Sequence, residues 1–163
     1  DSMMYDGEMM RIQMNKNIES ATINGVGLIG DLPLLPKMDL SLNCNYLIGE
    51  TSTNSPLAHI PPFNARVSLK YIYRQSEFEF YSMHNAWKRA EDYDLAGIDN
   101  LEEATADGTP SWTTYNLKYQ QEIDASLSFS IAIENITDLH YKSFASGLSA
   151  GGRNLILSLY SNF

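Results

Sequence analysis

Helical periodicity is nearly absent from this chain, and so are long apolar runs, clustered positive charge and a second cysteine. No stretch approaches the roughly 18 to 20 consecutive apolar residues of a membrane-spanning helix, which excludes a helical membrane protein but not a membrane barrel, whose strands alternate. Eleven Lys and Arg against twenty Asp and Glu give a net charge of -9, and the basic residues are scattered. Phosphate contacts need clustered cations, so no nucleic-acid partner is expected. The one cysteine, Cys44, cannot form an internal disulfide; it sits in an alternating stretch and leaves the redox compartment open. No CxxC, HExxH or phosphate-binding glycine loop occurs, and His59, His84 and His140 are too dispersed to suggest a metal site.

What the chain does contain is period-2 alternation from about Ile18 to the end. In "KMDLSLNCNYLIGE", Met38, Leu40, Leu42, Cys44, Tyr46 and Ile48 share one face and Asp39, Ser41, Asn43 and Asn45 the other. "NARVSLKYIYR" sets Ala65, Val67, Leu69, Tyr71 and Tyr73 against Arg66, Ser68, Lys70 and Arg74, with Ile72 as the exception. "WTTYNLKYQQ" and "ASLSFSIAIEN" repeat the pattern, whereas "SEFEFYSMHNAW" shows it at Phe78 and Phe80 and "NIESATINGVGLIGDL" carries three glycines that blur it. These stretches run to roughly 10 to 13 residues, longer than ordinary soluble strands and close to the 9 to 11 that cross a bilayer at a tilt.

The connections alternate as strictly as the residues do. Tight turns are expected near Pro33 to Pro36, at Arg74 to Ser76 and near Gln121 to Asp124, and long segments lie around "TSTNSPLAHIPP", "KRAEDYDLAGIDNLEEATADGTP" and "TDLHYKSFASGLSAGG". In an antiparallel meander this puts every tight turn at one end and every long loop at the other, the asymmetry of outer-membrane barrels. Tyr71, Tyr73, Phe78, Phe80, Tyr119 and Phe163 then fall near the tight-turn end as an interfacial girdle, with Tyr46 and Trp112 near the other. About seven strands are expected, one short of the smallest single-chain bacterial barrel of eight. The chain also opens on an Asp without a start Met or signal peptide, so it reads as the C-terminal part of a larger barrel with sequence missing upstream.

Three short motifs carry possible chemistry. "GLSAG" has the G-x-S-x-G form of a nucleophile elbow, but a strand rather than a helix follows, and all three histidines precede Ser149; a loop is the better reading. "DYDLAGIDNLEE" approaches a calcium loop, with Asp92 and Asp94 at positions 1 and 3, Gly97 at the turn, Ile98 offering a carbonyl, Asn100 at position 9 and Glu103 as the bidentate ligand. Ala96 breaks it at position 5, so a solvated acidic loop is the plainer reading and calcium the only candidate cofactor. "NIT" at Asn135 has the form of a glycosylation acceptor and is read as structural.

"NIESATINGV", "HIPPFNARVSL", "ENITDLHY" and "GRNLILSLYSNF" resemble, in order and spacing, the C-terminal barrel segments of TonB-dependent outer-membrane receptors. The resemblance implies an all-β, antiparallel up-and-down meander forming the C-terminal part of a 22-stranded transmembrane barrel in the bacterial outer membrane. Residues 1–17 would then be a remnant of an extracellular loop. It implies import of a scarce nutrient (a siderophore, haem, cobalamin, metal or glycan) without covalent chemistry, with energy supplied through TonB. The implied partners are the rest of the barrel and its plug, the TonB complex reached through an N-terminal segment, the barrel-assembly machinery and outer-membrane lipid. Leu155, Leu157, Leu159 and Phe163 match the terminal assembly signal of such barrels, while Ser161 stands where a hydrophobic residue is usual. Arg66, Lys70, Asn116 and Lys118 would face the lumen. The alternative from another class is a soluble secreted or periplasmic all-β sandwich, a binding module with the acidic loop as its site. The two differ in whether the apolar face points outward or is buried against a second sheet.

Overall fold

A computed structural model describes residues 2–11, 20–94 and 96–162. A small hairpin comes first, β1 (Ser2–Tyr5) and β2 (Glu8–Arg11), followed by two long strands, β3 (Ala21–Leu35) and β4 (Met38–Thr51). Next are β5 (Asn64–Tyr73) and β6 (Ser76–Asn85), and then a two-residue ribbon, β7 (Lys88–Arg89) with β8 (Gly108–Thr109). The chain ends with β9 (Trp112–Glu122), β10 (Leu127–Glu134) and β11 (Asn154–Ser161). Only two single-turn 3-10 segments, Ala90–Asp92 and Leu101–Glu103, interrupt the strands, and no helix among the described residues is long and apolar enough to cross a membrane. The positions Asn17 to Glu19, where the first long strand was expected to begin, and the terminal Phe163 lie outside the described residues.

Seven strands form one antiparallel sheet in the order β11-β10-β9-β6-β5-β4-β3. Each bonds to its neighbour in the chain, the β7–β8 ribbon lying within the connection from β6 to β9, so the sheet is the expected up-and-down meander. Tight turns join β3 to β4, β5 to β6 and β9 to β10. Lys37 and Arg74 take the left-handed conformation, at φ 71° and 56°, that lets two-residue turns follow the twist of the strands. The long connections 52–63, 86–111 and 135–153 all leave from the opposite end.

The cross-strand register turns alternation into two chemically distinct faces. One row runs Leu32, Leu40, Leu69, Phe80, Leu117, Ile133 and Leu155 across all seven strands. The next row toward the tight turns runs Met38, Tyr71, Phe78, Tyr119, Ile131 and Leu157. Within it Tyr71 and Phe78 stack with ring centroids 6.5 Å apart, Phe78 meets Tyr119 at 4.9 Å, and Tyr119 meets Phe129 edge-on at 5.9 Å. These contacts form a continuous aromatic belt over four strands, at the level where an interfacial girdle is expected.

No second sheet covers this face among the described residues, as the sandwich alternative would require. Leu117 is 48% exposed and Leu157 is 69% exposed. On the opposite face Ser68, Tyr81, Thr114, Asn116 and Ser130 are buried. Small polar groups buried on one side and large apolar ones exposed on the other are the signature of a sheet curled toward its polar side, the reverse of a soluble domain. Of the three glycines that blur β3, Gly25 has a packing role, because a Cβ there would run into the Leu47 side chain of β4, whereas a Cβ at Gly30 would meet open space. Trp112 lies at the long-loop end of β9 as expected, where it shares a face with Thr114 and Asn116 and is buried.

Because the apolar face is the solvent-facing side, a charge there should be costly only in lipid. Leu117→Arg is expected to destabilise the protein in vesicles by about 2–4 kcal/mol, whereas Gln120→Arg on the other face should shift stability by no more than about 0.5 kcal/mol, measured by denaturant unfolding. Equal effects would refute the assignment of faces.

Candidate functional site

The three long connections gather at one end of the sheet, where much of the described burial is found. Ile60, Tyr93 and Trp112 are buried there together with Lys88, Asp94, Asp99 and Thr109. Asp99, at 1% exposure, accepts the His59 backbone N–H on both carboxylate oxygens at 3.0 Å and lies 3.1 Å from His59 Nδ1, which ties connection 86–111 to connection 52–63. Lys88 Nζ makes a second tie by donating to the Ile60 carbonyl at 2.8 Å. The last connection is bound in by Asn100, whose amide donates to the Ala145 carbonyl at 2.9 Å, and by Lys142, which donates to the Glu103 carbonyl at 2.7 Å. Rings complete the cluster: Tyr93 meets Phe144 edge-on at 5.5 Å, and Trp112 lies 4.2 Å from Tyr141.

Below this rim the polar face carries its own network. The Asn116 amide donates to the Tyr81 carbonyl, and its oxygen accepts the Asn135 N–H at 2.9 Å. Tyr81 donates its hydroxyl to Glu134 at 3.2 Å while the Arg66 guanidinium lies 4.1 Å over its ring. Arg66 also pairs with Glu79 at 2.9 Å and Lys70 with Glu77 at 3.1 Å, so two of the cations expected to face a lumen are balanced locally. A recess opens between network and rim, lined by Tyr81, Thr114, Glu134, Tyr141 and Arg153 among others. A second, between connections, is lined by Trp112, Tyr141, Lys142 and Glu103. Both recesses set cationic, anionic and aromatic groups side by side.

Three of the four residues named for a calcium loop, Asp94, Asn100 and Glu103, make contacts within the protein. Asp94 accepts backbone N–H groups from Ile98 and Asp99, Asn100 caps Ala145, and Glu103 pairs with Lys142 at 3.4 Å. Among the described residues no three His, Cys, Asp or Glu side chains stand together as a metal cluster. Ser149 lies in the last connection, where it pairs with Lys142 through the backbone. Asn135 is buried with φ 49° and donates to the Leu139 carbonyl at 2.8 Å, a structural role. Leu155, Leu157 and Leu159 stand exposed on the outer face of β11. Of the groups that sequence reading missed, the buried Tyr93 and Asp99 lie in irregular segments and the buried Lys88 in a two-residue ribbon, where no periodicity points to burial, and the exposed His59 gives no local sign of its tie to Asp99.

No protein family and no curated protein matches the chain. Among solved structures it is similar to one described as the copper transporter OprC, with a TM-score of 0.76 over 88% of this chain and 24% of that one, at 17% identity. The likeness is one of fold. This chain spans about a quarter of the length of that transporter, and what the two share is a barrel-type antiparallel sheet.

The rim has a pH signature. Burial pushes the Lys88 pKa below the ordinary lysine value of 10.5, with Asp92 and Asp99 pulling it partly back. The folded chain then binds fewer protons than the unfolded one between the two values, so Lys88 makes stability rise with pH up to 10.5. Lys88→Met should flatten that alkaline slope in thermal unfolding. Asp99→Asn should cost about 1–3 kcal/mol and speed proteolysis within 52–63 and 86–111, because the His59 N–H loses its charged acceptor. Gly108→Ala should loosen the β7–β8 ribbon by a similar ~1–3 kcal/mol, because Gly108 holds φ 100° and an added Cβ would meet the Lys88 carbonyl. A rim unaffected by all three changes would refute the assigned contacts.

Proposed function

We propose that the chain forms the C-terminal strands of a TonB-dependent outer-membrane receptor, a 22-stranded barrel that binds a scarce nutrient and imports it with energy supplied through TonB. The observation that carries this reading is the single sheet with an exposed apolar band on one face, a polar network on the other and all long loops at one rim. Such a sheet suits lipid outside and an aqueous passage inside. The edges, β3 and β11, would be paired by the remaining strands, the polar face would meet the plug, and Leu155, Leu157, Leu159 and Phe163 would be read by the barrel-assembly machinery. A siderophore, haem, cobalamin, metal or glycan would be taken at the rim, where Trp112, Tyr141, Lys142 and Glu103 are presented. The copper carried by the similar transporter belongs among these candidates.

The test is made in cells with the whole protein. It is expected to fractionate with the outer membrane, and its deletion should abolish growth on the limiting nutrient to the same degree as loss of TonB. Recovery of the protein in a soluble fraction, or uptake that persists without TonB, would overturn the proposal.

A further inference from the structure

The hairpin β1–β2 is unlike the rest of the chain. Four of the seven methionines occur in its eight strand residues, in "SMMYDGEMMR". The turn is Asp6–Gly7, with φ 49° and 84°, both residues left-handed as a tight two-residue hairpin requires. It sets the register Met3↔Met10 and Met4↔Met9. Directly opposed residues share a face with their Cβ atoms about 4.5–5.5 Å apart, so each face of the ribbon carries one methionine pair.

Packing does not account for these residues. All four are exposed, from 49% at Met3 to 66% at Met9, and strand propensity would favour β-branched or aromatic side chains. What methionine has and those lack is a thioether sulfur on a stem with three rotatable bonds, long enough for two opposed sulfurs to converge on one ion. Neutral thioethers are soft ligands that select Cu(I) and its like over calcium, magnesium or zinc.

We infer that the β1–β2 hairpin is a capture site for a soft monovalent cation, Cu(I) or Ag(I), with Met3 and Met10 as one thioether pair and Met4 and Met9 as the other. Two neutral ligands per ion leave coordination positions open, so the ion is held exchangeably. Glu8 and Tyr5 share the Met3–Met10 face and put a carboxylate beside that pair. The inference rests on the hairpin alone and stands whether or not the barrel transports.

Silver is the probe, because it needs no reductant. The full chain is used in a Cys44→Ser background, since the free thiol would compete. With methyl-labelled methionine, Ag(I) is expected to shift the Met3, Met4, Met9 and Met10 resonances and leave Met38 and Met83 in place, saturating near about two ions per chain. The volume-conserving double changes Met3→Leu with Met10→Leu, and Met4→Leu with Met9→Leu, should each remove one ion, and all four together should weaken binding by at least about tenfold while keeping the ribbon apolar. Undiminished binding in the four-fold leucine variant would overturn the inference. So would titration shifts confined to Met38 and Met83.

Discussion

Every strand of the main sheet depends on backbone hydrogen bonds to its neighbours, and the two outermost, β3 and β11, have a neighbour on one side only among the described residues. In water an open edge is tolerable, although it invites association. In hydrocarbon it is not, because an unpaired N–H or C=O costs several kcal/mol with no water to replace the partner. The outward apolar band and the two edges are therefore one problem: a surface suited to lipid requires a ladder that closes. Side-chain chemistry follows from that. Large apolar groups can stay exposed on one face, and small hydroxyls and amides are the ones buried on the other.

The buried centre of this chain accordingly lies between loops rather than between layers. Ile60, Tyr93 and Trp112 supply apolar area at the rim, and buried charges are accepted there because each is answered. Asp99 meets two interactions from His59, and Lys88 meets a carbonyl and the face of Phe144 at 5.2 Å. Long connections joined this way become a shaped surface instead of independent strands of coil. The Asn116–Asn135 pair extends the same logic down the polar face by fastening the start of the last connection to the middle of the sheet.

Legibility differs sharply between these two regions. The strands were readable because alternation is local: Leu40, Leu42 and Cys44 announce a two-faced strand whatever surrounds them. The order of turns and loops was readable for a similar reason, since chain length between alternating stretches decides which end a connection occupies. Trp112 was placed by sequence at the long-loop end but not in the rim cluster, because its partner Tyr141 comes from a connection far along the chain. The acidic run from Asp92 to Glu103 was read as a solvated loop with calcium as its candidate ligand; the structure adds that Asp94 accepts backbone N–H groups, Asn100 donates to the Ala145 carbonyl and Glu103 pairs with a lysine far along the chain.

The sequence by itself determined the all-β class, the phase of most of the strands and the separation of tight turns from long loops, because period-2 patterning and connection length act within a few residues. Only the tertiary structure decided that the apolar face looks outward, since alternation is identical for a buried sandwich and a lipid-facing sheet. It also decided which loop residues are buried. Asp99 and His59 are forty positions apart, and nothing local to either encodes the contact that holds the rim together.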